Sequence, residues 1–378
     1  MNIEGKRSTV AINQDRRIVD MSNEIALLEP EATPLTVLSK RIAGSSKVTK
    51  NPKYDNLTDE LVPRWDKVNG AVANGTATTI TVDNGDYFSV NDLVVVPSTG
   101  EQMLVTAIST NDLTVTRGFG GTAAAIADNA NLLITGNAMA EGSNAPDSKT
   151  TKTVTNTNYT QIFRTPFEVT GTQDASKLYG GADMVYLAKK MGIEHAKTIE
   201  EAFLFGHKNK ATSGNEVRRS TAGLNSLVTT NRTDTSGTLT ETDFEAFLRT
   251  AFRYGKKVKT LMASPLLASA INSWGAGKLQ TVPADKTFGI ALTSYQTIHG
   301  KLNIISHNLL EEDYTGMGFL IDTETIGSRF MEGRNTKLKT NIQDNDIDTR
   351  KDEYMSEIGF YLTEEKRNAV IEGVTDFS

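Results

Sequence analysis

The chain has 378 residues, a formal net charge of −6, 38% hydrophobic and 23% charged residues, and no cysteine. This supports a buried core and two or three domains, and it leaves no disulfide, thiolate nucleophile or cysteine-ligated metal. The acidic balance gives no bulk electrostatic case for nucleic-acid binding, no stretch approaches the ~18 apolar residues of a membrane span, and the opening MNIEGKRSTV has no signal-peptide apolar core.

Residues 1–32 are polar and read as an arm that becomes ordered only against another surface. Residues 34–43 (PLTVLSKRIA) predict a short helix, with Thr33 as N-cap, Pro34 at its first position and Gly44 as its stop. Residues 48–68 are extended, with Tyr54, Leu57, Leu61, Val62, Trp65 and Val68 among many charges, and Pro52 and Pro63 argue against a central strand. From residue 69 the composition turns small and polar. Short strands are then expected at 79–82, 92–96, 102–108, 112–117 and 131–135, separated by turn clusters such as Asn84-Gly85. Leu104, Thr106 and Ile108 alternate, as do Leu113, Val115 and Arg117, so this is a self-contained all-β module. Residues 136–147 return to linker composition, and a module between two seams reads as an insertion into a host fold. Residues 148–172 are rich in Thr and Val and of strong β-propensity. Paired with 48–68 they make a long two-stranded ribbon carrying the module near its tip. Such a ribbon is marginal alone in water and needs a neighbouring surface, such as another subunit.

The longest amphipathic segment lies within residues 181–210. Met184, Leu187, Ala188, Met191, His195, Ile199, Ala202 and Phe203 recur at helical spacing, while Lys189, Lys190, Glu194, Lys197, Glu200 and Glu201 form the opposite face. Gly180 and Gly181 punctuate its start, and Gly192 weakens it by about 1 kcal/mol relative to Ala. Residues 209–240 are polar and Gly-rich, with an apolar patch at 224–228. A compact α/β region follows. Thr242 with Glu245 forms a capping box, and Phe244, Phe247, Leu248, Ala251 and Phe252 mark a helix face stopped by Gly255. Residues 257–263 read as a buried strand, Ser264-Pro265 opens a helix with Leu266, Leu267, Ile271 and Trp274 inward, 294–299 and 301–307 form a hairpin around Gly300, and 317–321 is a further strand. Residues 329–340, 346–361 and 368–374 alternate charged and apolar groups in long strands or a strand–helix mix.

Catalytic constellations fail. There is no G-x-S-x-G elbow and no P-loop. Gly118-Phe119-Gly120-Gly121 reads as a turn, its third glycine being misplaced for a dinucleotide site. His299 and His307 across a hairpin are ordinary strand-end residues before they are zinc ligands. Asp344, Asp346, Asp348 and Asp352 have calcium-loop spacing, but Thr349 and Met355 stand where that loop needs Gly and a bidentate Glu, so a solvated turn is the reading. No metal or cofactor is expected. Arg64, Trp65, Arg164 and Phe167 read as subunit contacts rather than nucleic-acid contacts.

The order of parts, with 61–65 (LVPRW), 158–172 (NYTQIFRTPFEVTGT) and 186–206 (YLAKKMGIEHAKTIEEAFLFG), resembles the tailed-bacteriophage major capsid proteins of Hong Kong 97-type fold, in the branch with a β-domain inserted in the extended loop. The resemblance implies an α+β fold: an N-arm over 1–46, an extended loop over 47–68 and 141–172, and an inserted β-domain over 69–140. It further implies a spine helix and peripheral domain over 173–241, an axial domain over 242–325, peripheral strands over 326–363, and a return to the axial domain over 364–378. It implies a non-enzymatic chain that self-assembles into hexamers and pentamers of an icosahedral shell around double-stranded DNA, without sequence-specific binding or a membrane partner. Assembly is expected in the host cytoplasm, with scaffolding, portal and decoration proteins as separate candidate partners. Lys50, Lys53, Lys149 and Lys152 lie on the extended loop, but nothing marks a partner Asn for an isopeptide cross-link. The alternative is an adhesin or receptor-binding protein using the β-module as ligand binder. A hydrolase pairing Asp or Glu with His195 is a third reading, without a motif.

Overall fold

The structure is a computed structural model describing residues 33–41, 46–176, 182–274, 279–280 and 293–377. The arm expected over the first 32 residues, the Gly44 stop and the Gly180-Gly181 pair lie outside the described residues. The chain divides into two compact units, one of residues 57–154 and the other of the segments on either side. It passes between them through a two-stranded sheet, Lys53–Thr58 with Val154–Tyr159.

The unit of residues 57–154 is a six-stranded antiparallel sheet in the order Trp65–Lys67, Asn131–Asn137, Asp92–Val96, Glu101–Ser109, Asp112–Gly120, Thr79–Thr81. Its first and last strands meet: the Asn69 amide donates to the Thr81 carbonyl (2.9 Å) and the Asp83 amide to the Lys67 carbonyl (3.0 Å). The sheet thereby closes into a small barrel. Alternation fills it, with Val94, Val96, Met103, Val105, Leu113, Val115, Leu132 and Ile134 all inward. The strand Trp65–Lys67 corrects the placement of Arg64 and Trp65 on the ribbon. Trp65 pairs with Leu133, and the Arg64 carbonyl accepts the Ile134 amide at 2.9 Å.

The other unit is built on two sheets. A five-stranded sheet runs Ser46–Thr49, Ile326–Met331, Thr349–Leu362, Gln161–Thr170, with Lys337–Lys339 also on the 14-residue strand Thr349–Leu362. The segment read as one stretch over 329–340 is thus two strands with a turn between them. A seven-stranded sheet runs Arg232–Leu239, Ala369–Phe377, Gly318–Ile321, Val258–Ala263, Lys301–Ser306, Thr293–Gln296, Leu279–Gln280. The closing strand pairs parallel with Arg232–Leu239, a strand hidden by its Thr-, Asp- and Gly-rich sequence. Adjacent residues of the central strands go to opposite faces. Met262, Phe319 and Val370 join the core beneath the long helix, while Leu261, Leu320 and Ile371 join a second core under the helices Glu241–Ala251 and Pro265–Trp274. The capping box that starts the first of these helices is Thr240 with Asp243, two residues before the expected pair. The motif occurs twice in TETDFE, and either copy puts two acidic residues in the first turn, so the motif alone does not choose between them.

The long helix is Asp183–Phe205. It lays Ile199 and Phe203 on Phe163, Ile358 and Phe360 of the five-stranded sheet, and its His195 bonds to Thr165 (2.9 Å) and Ser356 (2.7 Å) on adjacent strands. Pro166 is tolerated between these contacts because Gln161–Thr170 is an edge strand. A Cβ at Gly192 would meet the Tyr354 ring at 3.4 Å, an ordinary contact. Gly192→Ala is therefore expected to raise stability by roughly 0.5–1 kcal/mol through helix propensity. Thermal unfolding checks this, and a lower midpoint would show that the Tyr354 ring cannot give.

Candidate functional site

No metal-competent cluster of three or more His, Asp or Glu occurs among the described residues. His299 lies 3.7 Å from Glu245, whereas His307 bonds to Glu200 at 2.8 Å, so the two histidines serve different carboxylates. What the sequence does place with care are buried charges and the surfaces they hold in position.

The first is Glu200, assigned above to the solvent face of the long helix and in fact 0% exposed. The first helix, Pro34–Arg41, lies beside it and widens the buried stripe. The amides of Leu35 (2.7 Å) and Thr36 (2.6 Å) and the Thr36 hydroxyl donate to its carboxylate. His307 Nε2 is the fourth partner. Its Nδ1 accepts the Leu309 amide at 3.2 Å, which leaves the ring proton on Nε2, facing Glu200. Thus the orphan amides of the first helix are met by a carboxylate 164 and 165 positions away, not by Thr33. One signal was available: Glu200 has Ala196 and Leu204 four residues to either side, whereas Glu194 and Glu201 each have a lysine at that spacing.

The second is the pair Arg117–Glu101 inside the barrel, with side chains 5% and 0% exposed. Two guanidinium nitrogens reach the two carboxylate oxygens at 2.7 Å each. The remaining guanidinium hydrogens go to the carbonyls of Asn74, Ala77 and Ala124, and the carboxylate also accepts the Gly118 and Ala124 amides. Burial pushes the Glu101 carboxyl up, but Arg117 and the two amides outweigh it and hold it below the usual range. The third is Lys259, 1% exposed, whose ammonium donates to the carbonyls of Ala251 (2.7 Å), Tyr254 (2.9 Å) and Arg367 (2.6 Å). Burial lowers its pKa to about 8.

The expected contact residues separate. Arg64 and Trp65 lie exposed on the barrel unit, Trp65 at 48%. Arg164 is 60% exposed and bonds to Glu353 of the neighbouring strand at 2.8 Å, with Lys339 on the same carboxylate. Burial raises the Glu353 carboxyl, but these two cations hold it low. Phe167 packs with Val169 and Met184 inside this chain's own core and presents almost no surface to a neighbour. The sheet alternates at this point, so Phe167 faces the helix while Arg164 faces away. The ribbon is anchored by Tyr54, whose hydroxyl donates to the Phe360 carbonyl at 2.5 Å. Gly359 makes room: a Cβ there would lie 2.5 Å from that hydroxyl. Beyond the anchor, Leu57 (68%), Leu61 (94%) and Val154 (59%) are exposed.

The architecture is a long helix on one sheet and a second sheet closed by the last strand. The capsid of a native GTA particle shares it, with a TM-score of 0.51 at 8% identity, over 98% of this chain and 99% of that one. The fold is of the Hong Kong 97 type. The family model described as SU10 major capsid protein matches residues 5–375, and the chain belongs to that family of phage major capsid proteins. The major capsid protein of Pseudomonas phage PaMx41 is 26% identical over 286 residues, covering 71% of this chain and 68% of that protein. A capsid structure of cyanophage P-SCSP1u aligns over 99% of this chain and all of its own, at 10% identity and a TM-score of 0.49.

Two expectations follow from the buried charges. Glu200→Ala leaves four buried donors without an acceptor, at about 1–3 kcal/mol each. Residues 34–41 should then lose hydrogen-exchange protection while the sheet keeps it. For Glu101, a depressed folded pKa means that its stabilisation is complete above the ordinary carboxylate value and is lost as pH falls through the folded value. Arg117→Met should cost about 3–5 kcal/mol at neutral pH. It should also flatten the fall in urea midpoint that residues 57–154 show below about pH 4.5.

Proposed function

We propose that copies of this chain assemble as hexamers and pentamers into an icosahedral shell that encloses the phage's double-stranded DNA, with assembly in the host cytoplasm. The chain acts as a building block rather than a catalyst. The observation that carries the reading is the ribbon: Leu57, Leu61 and Val154 stand exposed on and beside a two-stranded sheet that is marginal alone, and a neighbouring subunit would cover them. In that reading residues 1–46 form the arm, the ribbon strands within 47–68 and 141–172 form the extended loop, and 69–140 form an inserted domain that also takes in the strand Trp65–Lys67. Residues 173–241 and 326–363 form the peripheral part, and 242–325 with 364–378 the axial part. Arg64, Trp65 and Arg164 meet neighbouring subunits. The net charge of −6 fits a container that does not grip its packed DNA tightly.

Negative-stain microscopy with analytical centrifugation of the same sample tests this. Closed shells, or capsomers in exchange with shells, are expected. A monomer or trimer that persists with crowding agent and with a co-expressed scaffolding protein would overturn the reading. Leu61→Asp, which alters no buried group, is expected to cut shell yield by about tenfold or more while leaving thermal unfolding unchanged.

A further inference from the structure

The hairpin Asn209–Ser213 with Glu216–Ser220, which follows the long helix, has no partner sheet. Its first strand is exposed throughout, and its second from Glu216 to Arg218. It carries Lys210, Arg218 and Arg219, with Lys208 just before it, against Glu216 as its single carboxylate. The register sets Lys210 opposite Arg219, a like-charge pair that weakens an isolated hairpin. Glu216 comes no nearer than 3.9 Å to Arg218, with both side chains largely in water, so it neutralises little. Lys210 and Arg219 make no ion pair among the described residues. A basic, self-repelling hairpin in a chain of net charge −6 needs an acidic partner.

The chain offers one. The loop between Lys337–Lys339 and Thr349–Leu362 exposes Asp344, Asp346 and Asp348, and none of them is in an ion pair among the described residues. The cations that follow it are already engaged, Arg350 with Asp352 and Lys351 with Glu168. Each charged segment also carries one exposed apolar side chain, Val217 (38%) on the hairpin and Ile347 (49%) on the loop. We propose that the basic hairpin of one copy docks onto the acidic loop of a second copy. The proposal rests on the shell reading and adds which charges join neighbours. Hairpin against hairpin and loop against loop both repel, so the contact joins unlike surfaces, and every copy both gives and receives it.

Charge reversal tests it. One variant carries Lys210→Glu with Arg219→Glu. A second carries Asp344→Lys, Asp346→Lys and Asp348→Lys, and a third combines all five. Four of these positions are exposed and Arg219 is half-buried without an ion pair among the described residues, so circular dichroism melts should stay close to the wild type. Each one-sided variant is expected to lose about tenfold or more in shell yield, and the combined variant to regain it. Sedimentation of the two one-sided variants mixed together gives a readout independent of shells, because the native hairpin of one faces the native loop's acidic charges on the other. The mixture should associate, and more weakly as salt rises. No association in the mixture, or one-sided variants that assemble like the wild type, would overturn the contact without touching the shell reading. Shells that form normally but lose co-purifying nucleic acid on hairpin reversal would also overturn it, by assigning the hairpin to the interior. Absence of wild-type shells alone counts only against the shell reading.

Discussion

The Glu200 carboxylate is the constraint on which the framework of the larger unit depends. A carboxylate with no exposed surface is tolerable only when every lone pair meets a donor. Here the donors come from the first helix and from the segment after Lys301–Ser306, which are remote from each other and from the long helix in sequence. Apolar packing can slide by small steps with small losses, but this set of bonds has one good register. It therefore fixes where the long helix sits along the first helix and against the second sheet. The apolar contacts of Leu35, Phe203 and Phe319 fill in around that register.

Much of this was legible because period and punctuation agreed. The helical face through Met184, His195, Ile199 and Phe203, the barrel strands with their inward Leu113 and Val115, and the Phe244–Phe252 face are all patterns that one element shows by itself. What was not legible depended on a second element. Glu200 looks solvated until the first helix is laid beside it. Thr242–Glu245 and Thr240–Asp243 are equally good capping boxes until the helix entry is fixed by the preceding strand. Arg232–Leu239 is a strand only because the chain's last strand runs alongside it. Trp65 reads as ribbon until its pairing with Leu133 assigns it to the barrel. The contact residues divide on the same ground: alternation tells Arg164 from Phe167, but which of the two faces inward is decided by the helix that covers one side.

Buried charges recur as a way of holding non-adjacent chain together. Arg117 and Glu101 tie loops across the barrel, Lys259 joins two carbonyls at the end of the helix Glu241–Ala251 to that of Arg367, and Asp322 holds Arg367 beside it. Each is more directional than the apolar contacts it replaces, and each is costly if half-made. The exposed residues are different in kind: Leu57, Leu61, the basic hairpin and the acidic loop lie at the surface, and in the proposed assembly they serve contacts between copies rather than the interior of the subunit.

The closed barrel has a consequence of its own. A subunit held at high density among copies of itself faces a hazard that a dilute protein does not. Any open strand invites a neighbour's strand to add to it, and one such addition can propagate without limit. The bonds from Asn69 and Asp83 use up the backbone groups where the sheet's two ends meet, so this unit offers no such template there.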